Sequence, residues 1–113
     1  VDAVAGTERT KGHLDALLLA LLASAPQHGY GVIAELRDRS EGQLDLPEGT
    51  VYPALHRLER AGLLESTWAP GATRRRRVYS LTAAGRTALS AERHEWARFS
   101  TAVGSVLSGV ASA

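Results

Sequence analysis

The sequence predicts an α+β fold that is mainly α, and three patterns carry that prediction. Apolar residues recur at helical spacing in three short stretches before Gly62. Two alternating stretches then flank a segment of turn composition, Ala69-Pro70-Gly71-Ala72-Thr73. The remainder, after Thr82, carries apolar and aromatic side chains at heptad spacing.

Residues 1–10 are small and polar without periodicity and read as a flexible N-terminal arm. Residues 11–25 form the first predicted helix. Leu14, Leu17, Leu18, Leu21 and Leu22 make one face, and Leu19 with several alanines widens it nearly all round. A helix apolar on most sides is buried on most sides; in so small a chain, one of those sides is expected to meet a second copy. Pro26, Gln27, His28 and Gly29 break it. Residues 30–39 form the second helix, with Tyr30, Ile33 and Leu36 marking its inner face at three-residue steps and Val32 adding to it.

A polar connection leads to the stretch around which the chain is organised, DLPEGTVYPALHRLERAGLL, from Asp45 to Leu64. Val51, Ala54, Leu55, Leu58 and Ala61 make a buried stripe. Thr50, Tyr52, Pro53, His56, Arg57 and Arg60 point mostly the other way. After Glu48 that outer face carries no carboxylate for two turns; it offers hydroxyls, an imidazole and guanidinium groups, which meet phosphates and base edges. Two starts are open. Asp45 with Glu48 has capping-box spacing but leaves Pro53 inside the helix, whereas Thr50 as cap puts Pro53 in the first turn. Gly62 stops the helix.

Residues 63–68 and 77–81 alternate and pair as a hairpin, which must pack on the helices because a lone hairpin is marginal in water. Arg74, Arg75, Arg76 and Arg77 follow its tip. Four adjacent guanidinium groups repel one another, a cost that a polyanion relieves. Thr82 is placed to cap the last helix by accepting the amide of Gly85. That helix runs from Ala83 towards Val110, about 40 Å at the standard rise. Leu89, Trp96, Phe99, Val103, Val106 and Val110 form its seam, with Arg93 beside Glu92 at the intervening position. Such a helix outruns the core and calls for a partner helix.

With 113 residues the chain is one domain. It has no cysteine, which excludes disulfides and thiolate metal sites and fits a reducing cytoplasm. The longest apolar run, Ala16 to Ala23, is far short of the roughly 20 residues that span a bilayer. Net charge is only +1, so a nucleic-acid signal must come from clustering. His13, His28, His56 and His94 lie on separate elements without metal-ligand spacing, and neither a Gly-rich phosphate loop nor a nucleophile elbow occurs. The expectation is no enzyme, no metal, no cofactor, no membrane association and a cytoplasmic protein.

Helix, helix, helix, hairpin, long helix is the order of a winged helix-turn-helix with a long C-terminal dimerisation helix. Several motifs then resemble the PadR family of bacterial transcription regulators: Gly12-His13-Leu14-Asp15, His28-Gly29-Tyr30, and above all LPEGTVYPALHRLE from Leu46 to Glu59. Ala61-Gly62-Leu63-Leu64, Arg75-Arg76-Arg77 with Tyr79, and Leu81-Thr82-Ala83-Ala84-Gly85 continue the resemblance. The single short C-terminal helical segment resembles the smaller of the family's two classes, in which it dimerises with the first helix. The wing tip, with Pro70 and Ala72, is less glycine-rich than in many relatives.

The resemblance implies a homodimer, usually a repressor, that reads a pseudo-palindromic operator in double-stranded DNA and releases it on binding a ligand, often a flat aromatic. Residues 1–10 are then the arm, 11–81 the DNA-binding domain and 82–113 the dimerisation helix. Thr50, Tyr52, His56 and Arg57 are expected at the groove, with Arg74, Arg75 and Arg76 from the wing. A planar effector is expected on Trp96, walled by Leu14, Leu18, Phe99 and Val103. Leu17, Leu21, Leu89, Trp96, Phe99, Val103, Val106 and Val110 are expected at the dimer interface. The competing reading is a winged-helix protein–protein module that reads no DNA; steep salt dependence would separate the two.

Overall fold

A leucine-rich helix, α1 (Leu14–Ser24), occupies the middle of the fold, touched by every other helix and by the sheet. The computed structural model describes residues 10, 12–71 and 76–109. After α1 come β1 (Gln27–His28), α2 (Gly29–Arg39), α3 (Glu48–Arg60), β2 (Leu64–Trp68), β3 (Arg77–Leu81) and α4 (Ala83–Leu107). The strands form an antiparallel sheet in the order β1-β3-β2. This is the winged helix-turn-helix arrangement anticipated above, with the long helix at its C-terminal end.

The central position of α1 explains its composition. Leu14, Leu18, Leu19, Leu21 and Leu22 all enter one core with Val32, Leu36, Leu46, Val51, Leu55, Leu58, Leu64, Tyr79, Leu81 and Leu89. Most of its apolar surface is therefore covered within the chain. Leu21 and Leu89, expected at a dimer seam, are each only 3% exposed and have no surface left for a partner. Leu17 keeps partial exposure. Thr10, expected in the arm, is buried, and its carbonyl accepts the His13 amide.

Two local expectations are corrected. In α2 the inner face is Gly29, Val32 and Leu36 with Ile33 packed partly buried against the core, while Tyr30 is half exposed. The helix begins one residue earlier than its apolar periodicity indicates, because His28 caps it: the Nδ1 atom accepts the amide of Gly31 at 3.1 Å. Neither Asp45 nor Thr50 caps α3. Pro47 does, its carbonyl accepting the amides of Thr50 and Val51, and Pro53 lies inside the helix. Leu46 and Val51, both buried, occupy the positions of a hydrophobic staple around that start. The hydrogen bond lost at Pro53 would have gone to Gly49, which is exposed, so water can satisfy that carbonyl.

The hairpin and the last helix follow the expected chemistry. Leu64, Ser66 and Trp68 pair across from Leu81, Tyr79 and Arg77, so both strands turn the same sets of side chains inward. Gly62 ends α3 with φ of 82°, and the Leu63 amide bonds back to the Leu58 carbonyl at 3.0 Å. Thr82 Oγ1 accepts the Gly85 amide at 3.0 Å and donates to the Gly62 carbonyl at 2.7 Å. This ties the start of α4 to the turn between α3 and β2. Beyond Leu89, α4 runs out of core: Trp96 is 51% exposed, Phe99 56% and Val106 78%. Val110 lies outside the described residues.

Candidate nucleic-acid interface

At about 100° per residue, α3 buries Val51, Ala54, Leu55 and Leu58 and turns Gly49, Pro53, His56 and Arg60 to solvent. Thr50 and Arg57 fall on the border nearer α1; Tyr52 falls on the opposite border, nearer α2 and the sheet. The two borders have different environments, and these decide what each side chain does.

Arg57 is not free. Its guanidinium donates two hydrogen bonds to the Asp15 carboxylate of α1, at 2.7 and 2.9 Å. The hydrogen bond with Asp15 raises the Arg57 pKa further. Both side chains are about half exposed, however, and such pairs contribute at most about 1 kcal/mol. A phosphate or a guanine edge can therefore compete for Arg57.

On the other border Tyr52 packs edge-on against Tyr30, with ring centroids 6.2 Å apart, and lies 6.5 Å from His56. His56 in turn lies 6.4 Å from the buried Tyr79. Arg76, at the base of the wing, places its guanidinium 5.6 Å from the Tyr30 ring centre and 3.2 Å from His28 Nε2. These side chains enclose a cleft of about 200 Å³ between α2, α3 and β3, and no carboxylate lines it among the described residues. Burial, reinforced by Tyr30 and Glu48, raises the Tyr52 pKa, so its phenol remains a protonated donor at neutral pH. Gly29 permits the close packing: a Cβ there would meet the Tyr52 ring.

Arg77 belongs to the scaffold. Its Nε donates to Ser66 Oγ at 2.8 Å, Ser66 donates to Glu59 at 2.7 Å, and the guanidinium covers the Trp68 ring at 4.7 Å. Arg74 and Arg75 lie outside the described residues. Of the expected DNA contacts, then, Tyr52, His56 and Arg76 come together, while Thr50 and Arg57 lie on the far border. His28, Tyr30 and Tyr79 also line the cleft, although the sequence reading assigned none of them to the site and placed Tyr30 on the inner face of its helix. The signal for the first two was the His28-Gly29-Tyr30 turn, whose residues look like an ordinary helix break in isolation, and Tyr79 showed only as a strand residue.

The expected effector residues are only partly assembled. His13 meets the Trp96 ring edge-on at 5.0 Å, and Phe99 lies 6.1 Å from Trp96. Leu18 is 0% exposed within the core, so it forms no wall of an open site; Leu14 is nearly as buried. Val103 retains partial exposure.

The scaffold that carries this helix face is shared with known proteins. The model of the transcriptional regulator PadR-like family matches residues 18–91. The chain belongs to the PadR-like family. A transcriptional regulator of Mycobacterium tuberculosis, Rv3488, is 56% identical over 66 residues, a match covering 58% of this chain and 59% of that protein. A transcriptional regulator from Clostridium thermocellum has a similar structure, with a TM-score of 0.82 at 25% identity, over 88% of this chain and 97% of that one. A PadR-family transcriptional regulator from Eggerthella lenta gives a TM-score of 0.80 at 31% identity, over 91% of this chain and 88% of that one. This PadR-like chain is accordingly a transcriptional regulator and not an enzyme. No helix among its described residues is long and apolar enough to cross a membrane.

Proposed function

We propose that this PadR-like regulator binds a pseudo-palindromic operator in double-stranded DNA as a homodimer, represses from it, and is released by a planar aromatic effector. The observation that carries the DNA reading is the solvent face of α3, free of carboxylates for two turns after Glu48 and set beside Arg76 at the wing base. Thr50, Tyr52, His56 and Arg57 serve the groove and its flanking phosphates, with Arg57 exchanging Asp15 for DNA. Arg74, Arg75 and Arg76 serve the backbone beside it. The exposed aromatic and apolar side chains of α4 support the homodimer, since a two-fold axis lets one patch cover its own copy.

Replacing Arg74, Arg75 and Arg76 together with alanine is expected to weaken binding to all duplexes alike. The slope of log affinity against log salt should flatten by up to about three units. Fluorescence anisotropy across a salt series measures it. An unchanged slope removes the wing from the interface, and a shallow slope in the unmodified protein favours the protein–protein module instead.

For the effector, the support is the His13–Trp96–Phe99 cluster, open to solvent in one chain; in the proposed dimer a two-fold axis sets it against its copy. A flat guest stacks offset between two indoles. Titration with planar dyes is expected to quench tryptophan emission at micromolar levels, and Trp96→Ala should abolish the quenching while Trp68 still emits. Quenching that survives the substitution reduces Trp96 to a packing residue.

A further inference from the structure

The cleft between α2, α3 and β3 contains a contact that its own residues leave incomplete. His28 Nδ1 accepts the amide proton of Gly31 at 3.1 Å. That nitrogen therefore presents a lone pair, and the neutral imidazole carries its proton on Nε2. Yet Nε2 lies 3.2 Å from Arg76 Nη1, and a guanidinium has donors only. Two N–H donors thus converge with no acceptor between them. Protonating the imidazole makes matters worse, because two cations then face each other. An oxyanion bridging both N–H groups converts this mismatch into two charge-assisted hydrogen bonds.

The rest of the cleft suits the same guest. Tyr30 and Tyr52 bring phenol groups, His56 a second imidazole, and no carboxylate among the described residues lines the cleft, Glu48 acting on Tyr52 from outside it. The volume, about 200 Å³, excludes a drug-sized ligand, which needs upwards of roughly 300 Å³. It accommodates a single phosphate group. The site is also distinct from the aromatic cluster around Trp96, which lies on α4 against α1.

We infer that this cleft is an oxyanion seat, in which His28 Nε2–H and the Arg76 guanidinium hold a phosphate group with Tyr30 and Tyr52 closing over it. The phosphate comes either from the DNA backbone or from a free anion. The first source rests on the DNA-binding reading above; the oxyanion chemistry does not.

The test is a titration of the full chain with inorganic phosphate at constant ionic strength, following the His28 ring resonances by NMR. A nonspecific duplex is titrated in parallel. Two variants accompany it: Arg76→Gln, and His28→Asn, which keeps a capping acceptor for Gly31 but withdraws the ring N–H. Circular dichroism confirms that both fold. Saturable shifts with phosphate, weakened about tenfold or more by Arg76→Gln, are expected; in His28→Asn the Tyr52 ring resonances replace those of His28 as the probe and should lose their response. Shifts with the duplex alone assign the seat to backbone phosphate, and shifts with phosphate alone assign it to a free anion. If the protein binds no DNA but the phosphate shifts saturate, the seat stands and the DNA reading falls. Shifts that persist undiminished in folded Arg76→Gln, or no shifts with either titrant, overturn the seat.

Discussion

Gly85→Ala is expected to destabilise the protein by about 3 kcal/mol or more, enough to lower the melting temperature by about 10 °C. A methyl group at that position would run into the Leu63 carbonyl oxygen and lie 2.6 Å from Leu81 Cδ1. The carbonyl belongs to backbone that cannot swing aside, because it already accepts the Thr82 amide at 3.1 Å. Relief requires the first turn of α4 to move away, and that movement breaks the Thr82 bonds to the α3–β2 turn and uncovers Leu81 and Leu89. Gly104→Ala is the control. Nothing lies within 4 Å of its added Cβ, so the change should stabilise the helix by up to about 1 kcal/mol. Thermal unfolding followed by circular dichroism compares the two. A Gly85→Ala variant that melts with the unmodified protein would show that α4 does not close on that turn.

Val103→Asp is expected to yield a folded monomer whose DNA affinity collapses. Val103 is partly exposed in the single chain, beside the half-exposed Phe99, so the monomer can hydrate the new carboxylate. In the proposed dimer the same side chain lies in the seam, where burying the charge costs several kcal/mol. The equilibrium should therefore shift to monomer without loss of fold. Each monomer then offers a single half-site's contacts. Thr101→Asp, exposed and on another side of α4, should leave assembly unchanged. Sedimentation with parallel operator binding reads both effects. A Val103→Asp variant that remains dimeric would place the interface elsewhere than on α4.

What the sequence by itself determined is the set of features in which cause and effect lie within a few residues. Thr82 capping Gly85, Gly62 ending α3 with positive φ, and the alternation within each strand of the hairpin are all of this kind. The buried stripe of α3 belongs with them from Val51 to Leu58, because a 3.6-residue period is a property of the segment alone; Ala61, also expected in it, is exposed at the helix end. Helix order, the hairpin and the PadR resemblance followed from such signals.

Only the tertiary structure decided which apolar and cationic groups were already in use. Leucines on every side of α1 mean burial, but not by whom; Leu21 and Leu89 are covered within the chain, and Trp96 and Phe99 are left open. Arg57 and Arg76 look alike in sequence. One is held by a carboxylate 42 positions away, and the other stands against the edge of a histidine 48 positions away. The Pro47 start of α3 was hidden for a related reason: Leu46 and Val51 anchor it in a core built from other elements, which outweighs the side-chain caps offered by Asp45 and Thr50. Local periodicity tells a side chain which way to face; the packed chain alone sets what it meets there, because long-range partners are chosen by the sum of the burial they achieve together.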